Sequence, residues 1–273
     1  MEAMPPRLEE TQPVSRWRWW VHLLLVTLYL VGLTLLGLER HKIIRPALTH
    51  TVRGLLTVCG VELVLFGLVI GAAWLASRAS LDDLLLRWRG KAMPVVWGAA
   101  YSLGLRLALA FLAVAAVVVL LATRAATLDS LQNFALNKRP GVEKMVDVQA
   151  MRDNPAYYWL TLTLVSFVVA GVREELWRSS FLAGMKNLWP RQFGSTLGQI
   201  WAVVIAAVIF GTAHMSMGIL AAVMAGVLGL GLGLIMVLHR SIWPAVFAHG
   251  FFDCASMAFI PWALELMHHL PGQ

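Results

Sequence analysis

The feature that most constrains this chain is a succession of apolar runs, each long enough to cross a lipid bilayer. They lie at about residues 19–38, 55–75, 97–122, 157–188, 197–213, 218–238 and 242–260. A spanning helix needs about 20 mostly apolar residues. In hydrocarbon only helices and closed barrels satisfy their own backbone, and runs of this length read as helices. The run at 157–188 exceeds one span, so a bend, a tilt or two joined helices is expected there. The expected fold is therefore all-α, a polytopic transmembrane bundle of about eight membrane helices. Charged residues make up only 14% of the chain, against about 25% in soluble domains. That excludes a disordered chain, a nucleic-acid module and an ordinary soluble enzyme. The net charge of +7 does not bring nucleic acid back as a partner, because the basic residues sit at the ends of apolar runs, as membrane flanks do. The bilayer itself is the expected partner.

The organisation follows from where polarity returns. Residues 1–18 form a polar N-terminal segment. The run that follows is too long for a signal h-region and no small-residue cleavage site comes after it, so it is expected to be retained as the first helix. Trp17, Trp19 and Trp20 at its start suit an interfacial belt. Residues 19–156 are read as N-terminal membrane helices with two extras. The stretch 80–91 carries Asp82, Asp83, Arg87 and Arg89 among leucines, and it is expected to lie on the surface as an amphipathic helix. The stretch 123–154 is the long polar segment, a loop with helical portions. Residues 157–262 form a membrane core and 263–273 a tail. Cys59 and Cys254 are too few for a disulfide framework and read as small core residues. Gly226, Gly229, Gly231 and Gly233 in one run suggest close helix approach. Positive residues flank the first span on both sides, so they leave the orientation open.

An ionisable residue within a span costs about 2.5–3.5 kcal/mol on insertion scales, which makes it a functional candidate by default. Three apolar segments carry such groups: Glu174, Glu175 and Arg178; then His214; then His249 and Asp253. Glu174 and Arg178 are four apart, as are His249 and Asp253. Either pair can share a helix face, whereas Glu175 points about 100° away from Glu174. Should the three segments converge, carboxylates, two imidazoles and a guanidinium would surround a buried water. Each feature alone has a plainer reading, as a structural ion pair or an interhelical hydrogen bond. Their conjunction favours a site. Glu62 and Arg106 each stand alone in their spans and read as structural or substrate-groove residues. His22, His41, His50, His239, His268 and His269 lie near span ends or in flanking segments and carry no argument.

The order Glu-Glu…Arg, Phe-x-x-x-His, His-x-x-x-Asp resembles the CPBP family, which includes CAAX prenyl endopeptidases and bacterial Abi proteins. The resemblance covers about residues 157–260. It departs in one place. The family's first motif is usually Glu-Glu-x-x-x-Arg, and Glu174-Glu175-Leu176-Trp177-Arg178 is one residue shorter. Aligned on the glutamates, Glu174 takes the first position. Aligned on Trp177-Arg178, Arg173 does, and Glu174 becomes the second. Asp253 stands where Asn is common.

The resemblance implies an integral multi-pass intramembrane endopeptidase, in a bacterial cell membrane if it follows the Abi branch. Its substrate would be a membrane-associated peptide or protein, including the prenylated CAAX type. Glu174 or Glu175, with His214, would activate water. His249 and Asp253 would support the oxyanion, and Arg178 would hold a carboxylate. Buried groups could supply both the base and the donors that peptide hydrolysis needs. His214, His249 and Glu174 could instead hold zinc with one open position. No His-Glu-x-x-His motif is present, and a metal-free mechanism is preferred. Two other functions compete: a non-catalytic scaffold or bacteriocin-immunity-type protein and, with less support, a transporter using Glu and His as a relay.

Overall fold

A computed structural model describes residues 15–40, 49–138 and 146–268, and no strand occurs among them. The 1–18 segment lies largely outside the described residues, as does the end of the tail. Helix α1 spans Arg16–Arg40, α2 Val52–Ser77 and α3 Met93–Ala122. Two short helices, α4 (Leu128–Asn137) and α5 (Val148–Asp153), lie in the long polar segment. A long helix follows in three parts: α6 (Pro155–Leu160), a wide-turned π-helical stretch (Thr161–Val172) and α7 (Arg173–Leu188). Then come α8 (Pro190–Phe193), α9 (Thr196–Ala213), α10 (Ile219–His239) and α11 (Trp243–His268). Among the described residues six helices are long and apolar enough to cross a membrane: Arg16–Leu36, Val52–Ser77, Met93–Ala122, Pro155–Leu188, Thr196–Ala213 and Ile219–His239. The overlong run is thus one continuous helix with a π-helical middle. Within that stretch Ser166 Oγ donates to the carbonyl of Thr161, five residues back.

Local chemistry sets the helix starts. Thr51 Oγ1 accepts from Gly54 N at the head of α2. Asn154 caps α6 just before Pro155, and Ser195 Oγ accepts from Gly198 N to start α9. Each cap satisfies an amide that has no partner within the helix.

The packing brings the core helices into one bundle. Helix α11 runs against α3, the π stretch and α10; α10 pairs with α9; α1 lies against α2 and α7. Trp19, Val26, Phe66, Trp177, Phe181 and Phe210 form the central apolar cluster. Close helix approach depends on missing side chains. A Cβ on Gly211 would stand 2.8 Å from the carbonyl of Ala222, and one on Gly171 would stand 2.9 Å from that of Val246.

The stretch 80–91 corrects its expectation. It forms turns rather than an amphipathic helix. Asp83 Oδ2 accepts from Ser80, and Leu85 takes a left-handed φ of 55°. The backbone then serves the ends of the bundle helices. Ser179 Oγ donates to Leu84 O, Ile242 N to Leu85 O at 2.9 Å, Trp243 Nε1 to Leu86 O at 2.8 Å and Ser241 Oγ to Arg87 O at 3.0 Å. Leucines interleaved with charges suggest a helical stripe. Here they instead put Leu84 inside the bundle and leave the carbonyls free to accept. Arg18 and Arg16 reach the same end of the bundle, donating to Ala76 O at 2.5 Å and Leu188 O at 3.1 Å.

Candidate active site

Glu174 and Glu175 open α7 where the π stretch re-tightens, so the turn before them is wider than an α-turn. His249 lies six residues into α11, about 9 Å along its axis. The close contact of Gly171 with Val246 O, one turn earlier on each helix, brings the two segments together.

Glu175 is the buried member of the tandem pair, with no exposed surface. Its Oε2 pairs with Arg178 and its Oε1 lies 2.9 Å from His249 Nδ1. This corrects the sequence pairing: Arg178 binds Glu175, three residues back, and not Glu174, because the guanidinium turns inward. It lies over the Phe210 ring, 4.8 Å from its centroid. Among the described residues Arg178 Nε and Nη2 have no hydrogen-bond partner. A carboxylate only accepts, so His249 Nδ1 carries the proton of its bond to Glu175. Its Nε2 then faces the other two carboxylates, Glu174 Oε2 at 3.8 Å and Asp253 Oδ2 at 3.6 Å. Both separations are too long for a direct hydrogen bond and suit an intervening water.

Glu174 differs from its neighbour in what it leaves free. Arg173 Nη2 holds its Oε1 at 2.8 Å, while Oε2 turns toward His249. Its side chain is 16% exposed. Arg173 Nη1 pairs with Glu62 of α2, so Glu62 does not stand alone as the sequence suggested. Arg106 is engaged as well. It donates to the carbonyl of Phe252 and to Ser256 Oγ at 3.3 Å, and it stacks 4.3 Å over the Phe252 ring. Sequence reading could not find these partners because they come from distant helices.

His214 caps the C-terminus of α9. Its Nδ1 lies 2.8 Å from Phe210 O, which only accepts, so Nε2 carries the lone pair of the neutral ring. The Phe210 ring stands 4.6 Å from the His214 ring and 6.5 Å from the His249 ring. His214 is within electrostatic range of Asp253. The fold therefore gathers Glu174, Glu175, Arg178, His249 and Asp253 around one imidazole, with His214 across Phe210. Among the described residues no three His, Cys, Asp or Glu side chains are grouped so that they could hold a metal ion.

His22 also gains a role. It is buried in α1, with Nδ1 3.0 Å from Ala73 O and Nε2 3.0 Å from Ser180 O. It ties α1 to α2 and α7. A lone histidine near a span end gives no sign of that.

These features define an integral membrane protein with an acid–imidazole cluster set among its helices. Residues 155–255 match the Rce1-like family, described as type II CAAX prenyl endopeptidase. The match supports assigning this segment to that family of membrane-embedded CAAX endopeptidases, and with it an enzyme of the peptidase class. All six candidate residues fall within the matched segment, whereas Glu62 and Arg106 lie before it. Neither the curated proteins nor the solved structures compared with the chain include a match.

Proposed function

We propose that the protein hydrolyses a peptide bond in a membrane-associated substrate, with Glu174 as the base. The observation that carries this reading is the division of labour between the two glutamates. Both oxygens of Glu175 are taken, by Arg178 and His249. Glu174, whose side chain is partly exposed, keeps one oxygen outside its pair with Arg173 and 3.8 Å from His249 Nε2. A water between them gives a proton to Glu174 as its oxygen attacks the scissile carbonyl, and His214 orients that water through its free Nε2. His249, protonated on both nitrogens, offers Nε2–H to the oxyanion. Asp253, a carboxylate that can only accept, orients that imidazole. When the intermediate collapses the C–N bond breaks, and Glu174 returns the proton to the leaving amine.

The substrate proposed is a prenylated CAAX-type peptide, after the description of the matched family. The reaction is proposed to be metal-free, since a carboxylate and an imidazole suffice to activate and orient water. The test is mass spectrometry of a farnesylated peptide incubated with the full chain in vesicles. Wild type is expected to release the C-terminal fragment, and Glu174→Gln, His214→Ala and His249→Ala are each expected to lose release while staying folded. Cleavage retained in all three would remove the hydrolytic reading. In the same preparations zinc is expected to be sub-stoichiometric and cleavage to survive chelation. Stoichiometric zinc with chelator-sensitive cleavage would replace the metal-free route.

A further inference from the structure

Glu62 lies in the middle of α2, where a lone carboxylate is costly to insert, and the reaction above does not use it. It meets Arg173, whose two terminal nitrogens divide their work: Nη1 goes to Glu62 and Nη2 to Glu174 Oε1. Arg173 and Glu174 are neighbours in sequence, and successive side chains on a helix diverge by about 100°. Arg173 has to fold back to meet Glu174, and an anchor on another helix fixes that geometry. A planar guanidinium held by two carboxylates is a rigid fork. Its reach to Oε1 leaves Oε2 as the one oxygen turned toward His249.

We propose that Glu62 and Arg173 form a positioning clamp for Glu174, so that α2, outside the family-matched segment, is part of the working site. The clamp deepens the reading of Glu174 as the base and rests on it for its catalytic meaning, but its existence can be tested without a substrate. Neither Glu62 nor Arg173 touches the reacting atoms. They act through the carboxylate they hold.

The test uses the full chain in vesicles and two readouts. The first is modification of Glu174 by dicyclohexylcarbodiimide, followed by peptide mass spectrometry. Dicyclohexylcarbodiimide attacks a protonated carboxyl, so removing the cation is expected to speed labelling by roughly fivefold or more in R173Q, removing the competing Glu62 charge is expected to slow it by roughly fivefold or more in E62Q, and E62D and R173K stay within about twofold of wild type. Unchanged labelling of Glu174 in E62Q would overturn the clamp whatever the enzyme cleaves. The second readout is cleavage of the farnesylated peptide. E62Q is expected to lower kcat about tenfold with KM within about twofold, because only the alignment of the base is lost. E62D is expected to restore most of the rate. A rise in KM at unchanged kcat, or a loss that Asp does not rescue, would likewise overturn it. If wild type leaves the peptide intact, the endopeptidase reading fails on that probe and the labelling arm still decides the clamp. Should E62Q fail to fold, R173K and R173Q carry the same comparison.

Discussion

At the scale of single residues the tandem glutamates show how environment separates two identical side chains. Glu175 is fixed by Arg178 and His249 inside the bundle, whereas Glu174 keeps a free oxygen at the edge of the cluster. Glu174→Gln removes the proposed base but leaves a neutral acceptor for Arg173. It is expected to end cleavage at a smaller cost in stability than Glu175→Gln, because Arg173 keeps Glu62 as its counter-charge. Glu175→Gln leaves Arg178 buried without its counter-charge, and breaking such a pair costs about 3–5 kcal/mol. It is expected to unfold the protein at markedly lower temperature or denaturant. Thermal melts of both variants in one detergent check this, and equal stability would contradict the assignment. The sequence made the six polar residues legible because charge within apolar runs has no cheap explanation. It mispaired Arg178 because i,i+4 spacing describes one helix in isolation. The choice between Glu174 and Glu175 rests on the helix packed opposite, which spacing cannot see. Glu62 was visible as an isolated charge, but its partner Arg173 lies on another element.

At the scale of elements, the long run 157–188 was legible as more than one span's worth of chain, but its form was not. The sequence Thr161–Val172 is apolar and β-branched-rich, and nothing in it distinguishes wide turns from α-turns. The structure puts the re-tightening of the helix immediately before the glutamates, and such local widening is frequent at functional sites. The neighbouring contact between Gly171 and Val246 O sets how near α7 lies to α11. A methyl group at 171 would stand 2.9 Å from that carbonyl, and backbone cannot yield as a side-chain tip does. Gly171→Ala is therefore expected to push the two helices apart by a few tenths of an ångström to 1 Å or so. The overpacking would cost about 1–3 kcal/mol. The wider gap between Glu174 and His249 would lower cleavage by up to about a hundredfold. Melting temperature and kcat measured together check it, and wild-type kcat in a folded Gly171→Ala protein would mean that this contact does not set the site. The stretch 80–91 was misread for a related reason. Its charges among leucines suggest a surface helix, but the carbonyls of Leu84, Leu85, Leu86 and Arg87 are committed to α7, the α10–α11 turn and α11. A continuous helix would have kept them for itself.

At the scale of the molecule, the motif-bearing core and its supports come from different parts of the chain. The family match begins at residue 155, yet α7 is held by groups that precede it. Trp177 Nε1 donates to Val26 O at 3.0 Å, His22 bonds to the carbonyl of Ser180, and Glu62 pairs with Arg173. Helix α11 is held from the other side, by Arg106 on the carbonyl of Phe252 and on Ser256. His22, Glu62 and Arg106 were visible in the first 150 residues only as isolated polar groups, because their partners lie on α7 and α11, and the acceptor carbonyl of Val26 leaves no trace in residue identity. Removing the first three helices would expose the apolar face of α7 that Trp19, Val26 and Phe66 cover. It would also leave Trp177 Nε1 without its acceptor, strip His22 from the carbonyl of Ser180 and leave Arg173 with Glu174 alone, in a medium that offers no replacement. A fragment covering 155–255 is therefore expected not to form a monodisperse folded species in detergent. Fragments 1–154 and 155–273 produced together are expected to associate and recover cleavage. Size-exclusion chromatography, circular dichroism and the peptide assay on both preparations decide it. A folded, active 155–255 fragment would show that the N-terminal helices are only attached to the site, whereas recovery that appears with 1–154 and falls in its E62Q version would place them within it.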